Sequence, residues 1–275
     1  MHSVKWSRIA TLACLLIGLM AFVPAIAADQ PAAASSKGVH SIEIGPEISW
    51  IRYTEPRLMH EDGIMYGVAA SYIYRGPLFV GPSEADAWML RADGRANYGQ
   101  IDYDGALMDG TPYTINNIDD YALEFRGLVG YGFQNRIART TPYSGFGYRY
   151  LNDDSSFDPA GYERESNYFY LPIGFDIYFF SKSEWSFSST FEFDVLLWGK
   201  QKSHLGSPYG TIENNQDNGS GFRASIRFQK DEGKRKFSIE PFFRYWDIGD
   251  SKVSDGFIEP WNCSAEIGLR LLWQF

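Results

Sequence analysis

Residues 262–275 read NCSAEIGLRLLWQF. Cys263, Ala265, Ile267, Leu269, Leu271, Trp273 and Phe275 fall on one side of an extended chain, and Ser264, Glu266, Gly268, Arg270, Leu272 and Gln274 on the other. Side chains alternate across a strand with period two, so this stretch is a strand with one apolar and one largely polar face. The same period recurs upstream. Trp185, Phe187, Ser189, Phe191, Phe193, Val195 and Leu197 alternate with Glu192 and Asp194, and Phe222, Ala224, Ile226 and Phe228 alternate with Arg223, Ser225, Arg227 and Gln229. Tyr121, Leu123, Phe125, Val129, Tyr131 and Phe133 alternate with Glu124 and Arg126.

Ten such segments are predicted, at about 39–53, 64–75, 86–99, 119–133, 142–151, 167–180, 185–198, 220–229, 236–248 and 262–275. Most exceed the ~5–6 residues usual for strands of soluble proteins, and they match the ~9–11 a tilted strand needs to cross a bilayer. Longer polar connections, at about 54–63, 100–118, 152–166, 199–219 and 249–261, alternate with shorter ones at about 76–85, 134–141, 181–184 and 230–235. An even number of strands with long and short links at opposite ends predicts an all-β fold: a closed antiparallel transmembrane β-barrel of about 10 strands. Its long loops are extracellular, its short turns periplasmic, and both termini periplasmic, in the cell outer membrane. Closure leaves no strand edge and pairs every backbone group within lipid. Aromatics near strand ends fit the two interfacial girdles of such a barrel: Tyr66 and Tyr74, Trp88 and Tyr98, Trp185 and Trp198, Trp273 and Phe275.

Composition narrows the alternatives. The 275 residues are 44% hydrophobic and 17% aromatic, with 27 Gly and a formal charge of −9. After the first ~25 residues no apolar run approaches the ~18 of a membrane helix, which excludes a polytopic helical protein. The acidic balance, 25 Lys and Arg against 34 Asp and Glu, argues against a nucleic-acid partner. Lys5 and Arg8, the apolar run Ile9 to Val23 and the small residues Ala25 and Ala27 form a secretory signal of bacterial type. The expected organisation is a removed signal peptide at 1–27, a short periplasmic segment at 28–38 and the barrel at 39–275. The mature chain keeps only Cys263, so it has no internal disulfide.

If the apolar face meets lipid, the other face lines the lumen. It carries Arg91, Arg95, Arg126, Arg149, Arg223, Arg227, Arg244 and Arg270, with Glu43, Glu47, Asp93, Glu124, Asp176, Glu192, Asp194, Glu240 and Glu266. No lysine is among them. The planar guanidinium fork suits crowded bidentate pairing, so these residues are expected to pair across a charge-filled lumen, with Tyr168, Tyr170 and Tyr178 occupying further space. The same rows would line the path of a narrow porin.

A ten-stranded barrel with long outer loops resembles the omptins, outer-membrane proteases. Ala160-Gly161-Tyr162 followed by Glu163, Arg164, Glu165 and Ser166 is similar to the omptin Ala-Gly-Tyr-Gln-Glu-Ser/Thr-Arg pattern, with Arg164 and Glu165 out of order. Asp102 and Asp104 stand where the resemblance implies an aspartate pair. The family's Asp-x-His element is incomplete: His204 is preceded by Lys202 and Ser203. A histidine without an orienting carboxylate is a poor general base. The resemblance therefore implies a diverged relative, with Asp102, Asp104 and His204 as residual catalytic candidates and no full catalytic set.

His40, His60 and His204 lie in separate segments, so no metal site is expected, and no cofactor. The acidic loop residues Asp109, Asp119, Asp153, Asp154, Asp158, Glu163, Glu165, Asp250, Asp255 and Glu259 are either solvated or offered to cations or a basic partner, without the spacing of a calcium loop. Trp273 and Phe275 resemble the assembly signal of outer-membrane barrels. Expected partners are outer-membrane lipid and lipopolysaccharide, the barrel assembly machinery and an unidentified extracellular ligand. Three readings follow: a non-enzymatic surface barrel for interaction or envelope integrity, a narrow porin, and a diverged surface protease.

Overall fold

A computed structural model describes residues 38–77, 87–107, 109–181, 183–233 and 235–275; positions 1–27 and 28–37 lie outside the described residues. Eleven strands follow in order: β1 Val39–Glu55, β2 Met59–Gly76, β3 Ala87–Ala106, β4 Pro112–Gln134, β5 Ala138–Asp154, β6 Glu163–Phe179, β7 Trp185–Gly206, β8 Gly210–Gln216, β9 Gly219–Asp231, β10 Lys236–Ile248 and β11 Asn262–Gln274. Each pairs antiparallel with its neighbours, and the β6–β7 and β1–β11 pairings close the sheet into a barrel. β8 pairs with β7 at 199–206 and β9 with β7 at 185–195, so together they form one position of the wall, interrupted at Asp217 and Asn218. The barrel therefore has ten positions, as the alternation predicts.

The expected outer loops are mostly strand. β1 turns into β2 over three residues, 56–58, and the segment 199–219 is largely the β7–β8 hairpin. Hydrophobic alternation fades there because the outer face turns polar once a strand rises past the lipid, and in β7–β8 the inner face is largely polar too, as at Lys200, Lys202, Asn214 and Asn215. These hairpins form one end, here the hairpin rim. Val39 and Gln274 end their strands at the other, the terminal rim.

Outward residues form an apolar band between two aromatic belts. Tyr98 touches Tyr121, and Phe169 touches both Tyr148 and Trp198, on the side of the hairpin rim. Trp88 with Tyr131, Phe179 with Phe187 and Phe237 with Trp273 mark the other belt. Trp88 and Tyr98 are ten residues apart on β3. At ~3.4 Å per residue and a tilt of about 40°, that is roughly 26 Å of height, matching the ~25 Å apolar band of outer-membrane barrels. Above the upper belt the outer face becomes charged, with Arg52 3.9 Å from Asp62.

Inside the wall, glycine makes room for rings. A Cβ on Gly147 would lie 2.1 Å from Cζ of Tyr170, its paired neighbour on β6, whose side chain is fully buried. Gly147→Ala is expected to force that ring aside and to cost about 1–3 kcal/mol. Urea titration followed by the heat-dependent gel mobility of the folded barrel measures it, and an unchanged midpoint would exclude the constraint.

Candidate functional site

The lumen is layered. At the terminal rim a cavity of about 410 Å³ is lined by the inward residues of the strand ends, among them Ser41, Arg75, Arg139, Tyr178 and Gln274. Its inner wall is the charge network. Starting at Asp176, ion pairs run without a break through Arg91 (3.7 Å), Asp93 (2.6 Å), Arg126 (2.5 Å), Glu192 (2.6 Å), Arg223 (3.1 Å), Glu124 (2.5 Å) and Arg95 (3.8 Å). The run continues through Glu266 (3.1 Å), Arg244 (3.1 Å), Glu47 (3.5 Å), Arg270, Glu240 (3.0 Å), Arg227 (2.6 Å) and Glu43 (2.8 Å). Cation and anion alternate at every step. Asp194 branches from Arg223 at 2.6 Å, and Arg149 reaches Ser264 Oγ at 3.4 Å with its guanidinium over Trp246. The structure thus turns all seventeen sequence-predicted lumen residues inward and joins sixteen of them into one network.

Neutral donors occupy carboxylate lone pairs that the arginines leave open. Tyr170 donates to Glu124 (2.6 Å), Tyr143 to Glu192 (2.8 Å), Asn97 to Glu47 (2.7 Å) and Ser49 to Glu266 (2.8 Å). Buried charges survive only when paired and hydrogen-bonded in this way.

Beyond the network lies an apolar layer that the polar-face alternation did not anticipate. One cluster contains Ile51, Met65, Ile101, Ile115, Ile118 and Ala122; the other contains Tyr168, Tyr170, Leu196, Trp246 and Ile248. Leu151 packs against both, so the two form one plug across the lumen. A cavity of about 10 Å³ between network and plug has room for no more than a single water.

Past the plug, Arg164 meets three carboxylates: Glu55 (3.1 Å), Glu61 (2.6 Å) and Asp153 (2.7 Å). Tyr53 lies under its guanidinium and is within 3.1 Å of Glu55 and 3.2 Å of Glu259. One phenol proton cannot serve two carboxylates. Burial and then the Glu55 charge push Glu259 up to about 7, so below neutral pH its carboxyl keeps the proton that completes the set. Burial likewise raises Glu61 well above the ordinary carboxylate range. Asp153 and Glu259, expected as loop acids open to solvent, are buried in this cluster.

The omptin-type candidates are not assembled. Asp102 and Asp104 sit on the outer face of β3, opposite Asp62 and His60 of β2, with Tyr103 between them turned inward. Asp102 accepts the backbone N–H of Asn117 (2.9 Å). His204 lies on β7, with β4, β5 and β6 between it and β3. The expectation that His204 lacks a carboxylate is corrected: its Nε2 is 2.9 Å from Glu165 and its Nδ1 3.0 Å from Thr211. Sequence missed this pair because the partners are 39 residues apart and meet only through β6–β7 pairing. His204, Glu163 and Glu165 each offer a ligand atom within 4.8 Å of one another, but the Lys202 ammonium, 3.6 Å from Glu165, already supplies a positive charge there.

Sequence reasoning also passed over Arg75 and Arg139, and read Arg164 only within the omptin-like stretch. Arg75 has the inward parity of its predicted strand and was legible; Arg139 lies outside the predicted segment 142–151. Trp273 faces outward beside Phe237, and the backbone of Phe275 exchanges hydrogen bonds of 2.9 and 3.2 Å with Ile42.

No family model and no curated protein matches the sequence. Solved structures do match. The outer membrane protease OmpT from Escherichia coli aligns with a TM-score of 0.56 at 9% identity, over 89% of this chain and 98% of that one. The translocator domain of autotransporter NalP from Neisseria meningitidis aligns with a TM-score of 0.43 at 7% identity, over 98% and 96%. Neisserial surface protein A aligns with a TM-score of 0.32 at 8% identity, over 86% and 97%. At 9% identity the likeness to the protease is one of fold, and it agrees with the apolar band, the belts and the closed ladder: the chain has the fold of an outer-membrane β-barrel.

Proposed function

We propose that the protein is a non-enzymatic outer-membrane barrel of a Gram-negative bacterium, with a closed lumen and surface hairpins that mediate interaction or support the envelope. The carrying observation is the apolar plug stacked on a continuous ion network, which together leave no polar path past Trp246 and Tyr170. The hairpin rim faces the exterior and both termini face the periplasm, an orientation supported by the charged outer surface above the upper belt. Lipid and lipopolysaccharide surround the wall, and Trp273 and Phe275 serve the assembly machinery. A protease of omptin type is disfavoured by Asp102 and Asp104 pointing away from the lumen on a strand remote from His204.

Planar-bilayer recording of the refolded protein is expected to show no stable conductance steps. Steps of fixed size, altered by neutralising Arg95 or Arg227, would instead make it a narrow porin. Cleavage of a basic peptide lost on replacing Asp102, Asp104 or His204 would make it a hydrolase.

A further inference from the structure

The cavity at the terminal rim has an imbalance that the ion network does not remove. Ten basic side chains line it against six carboxylates. Glu47, Asp194 and Glu266 lie behind the same wall, and with them seven of the arginines are bonded to network carboxylates. Lys236 is 3.9 Å from Asp231 at the rim. That leaves Arg75 on β2 and Arg139 on β5. Among the described residues neither has a carboxylate within ion-pair distance. The acid that acts on both, Asp176, is already held by Arg91 (3.7 Å) and Thr190 (2.7 Å). The two guanidinium groups are within electrostatic reach of each other. The Arg139 guanidinium lies over the Tyr178 ring at 5.4 Å, and among the described residues it donates to no acceptor.

Two half-buried cations lining one cavity without a carboxylate of their own are unfavourable unless an anion joins them. Their planar forks match a phosphate, which accepts from both at once and carries charge enough for two. A cavity of about 410 Å³ has the size of a small-molecule site, and its remaining lining of Ser41, Ser188, Ser225 and Gln274 suits a polar ligand. We propose that this vestibule binds a phosphate group between Arg75 and Arg139. The phosphate belongs either to a small polar solute or to a lipid headgroup at the rim. The proposal does not depend on which compartment the rim faces, nor on whether the lumen conducts.

The test uses the refolded wild-type protein in a non-ionic detergent, titrated calorimetrically with glycerol phosphate at low ionic strength. A second arm places it in nanodiscs of phosphatidylcholine with and without phosphatidylglycerol and follows the lipid phosphorus resonance. Saturable binding at millimolar or lower concentration is expected, weakened at least about tenfold by Arg75→Gln with Arg139→Gln. Arg139→Lys, which keeps the charge, retains most of it. Binding of glycerol phosphate identifies a solute site; a phosphatidylglycerol resonance perturbed by wild type alone, without glycerol phosphate binding, identifies a headgroup site. Absence of both signals, or equal signals from the double variant in its heat-modifiable folded form, overturns the proposal. Should the double variant not fold, Arg75→Gln alone carries the comparison.

Discussion

Arg223→Ala is expected to destabilise the barrel by about 3–5 kcal/mol, the cost of stranding buried charge by removing one partner. Arg223 is 2.5 Å from Glu124, 3.1 Å from Glu192 and 2.6 Å from Asp194, and it also donates to the Tyr170 hydroxyl at 2.9 Å. Glu124 and Glu192 keep Arg95 and Arg126 as second partners. Among the described residues Asp194 has no other cation within ion-pair distance, and its second oxygen already lacks a hydrogen-bond partner. Most of the loss therefore belongs to Asp194, and adding Asp194→Asn to Arg223→Ala should recover a substantial part. Arg223→Lys should fall between, because an ammonium supplies charge without the fork. Urea midpoints read from gel mobility in lipid vesicles measure the series. A wild-type midpoint for Arg223→Ala would mean that water fills the network and screens it.

The second large effect is on pH dependence, and it comes from the hairpin rim. Glu259 has an ordinary value of 4.5 and is held at about 7 in the fold. The folded protein therefore binds this proton more tightly than the unfolded chain does. The stabilisation it brings is complete below about 4.5 and disappears as pH rises through about 7. Wild type should be more stable at about pH 5.5 than at about pH 8, by up to about 2 kcal/mol. Glu259→Gln mimics the protonated form without titrating, so it should flatten the difference and gain stability at the higher pH. Equal stability of wild type at both values, or greater stability at the alkaline one, would show that solvent reaches the carboxyl.

The sequence carries the wall and the charges for one reason: lipid on one side enforces strict alternation wherever a strand is inside the membrane. Residues such as Glu47, Arg95 and Glu266 could be assigned to the lumen by parity alone, though not paired, because their partners come from strands remote in sequence. Where the constraint ends, legibility ends. The hairpin extensions are polar on the outer face and carry only scattered inward apolar residues such as Ile101, Ile115 and Ile212, so they read as loops. The plug residues Ile51, Met65 and Trp246 lie on the face expected to be polar, since nothing in a local pattern distinguishes a side chain packed in the lumen from one packed in lipid. Glu165 with His204 and the cluster about Arg164 depend on cross-strand register, which no single segment contains.

The paired backbone of Ile42 and Phe275 places the first and last strands side by side at one rim. The ladder is consequently seamless, and the position of the chain break within it is arbitrary as far as the folded wall is concerned. Joining the two ends with a short linker and reopening the chain at the β7–β8 tip, 207–209, would preserve every pairing. In that rearranged order Trp273 and Phe275 keep their places beside β1 and β10 but no longer end the polypeptide. What those two residues do as wall and what they do as a terminus thereby become separate quantities.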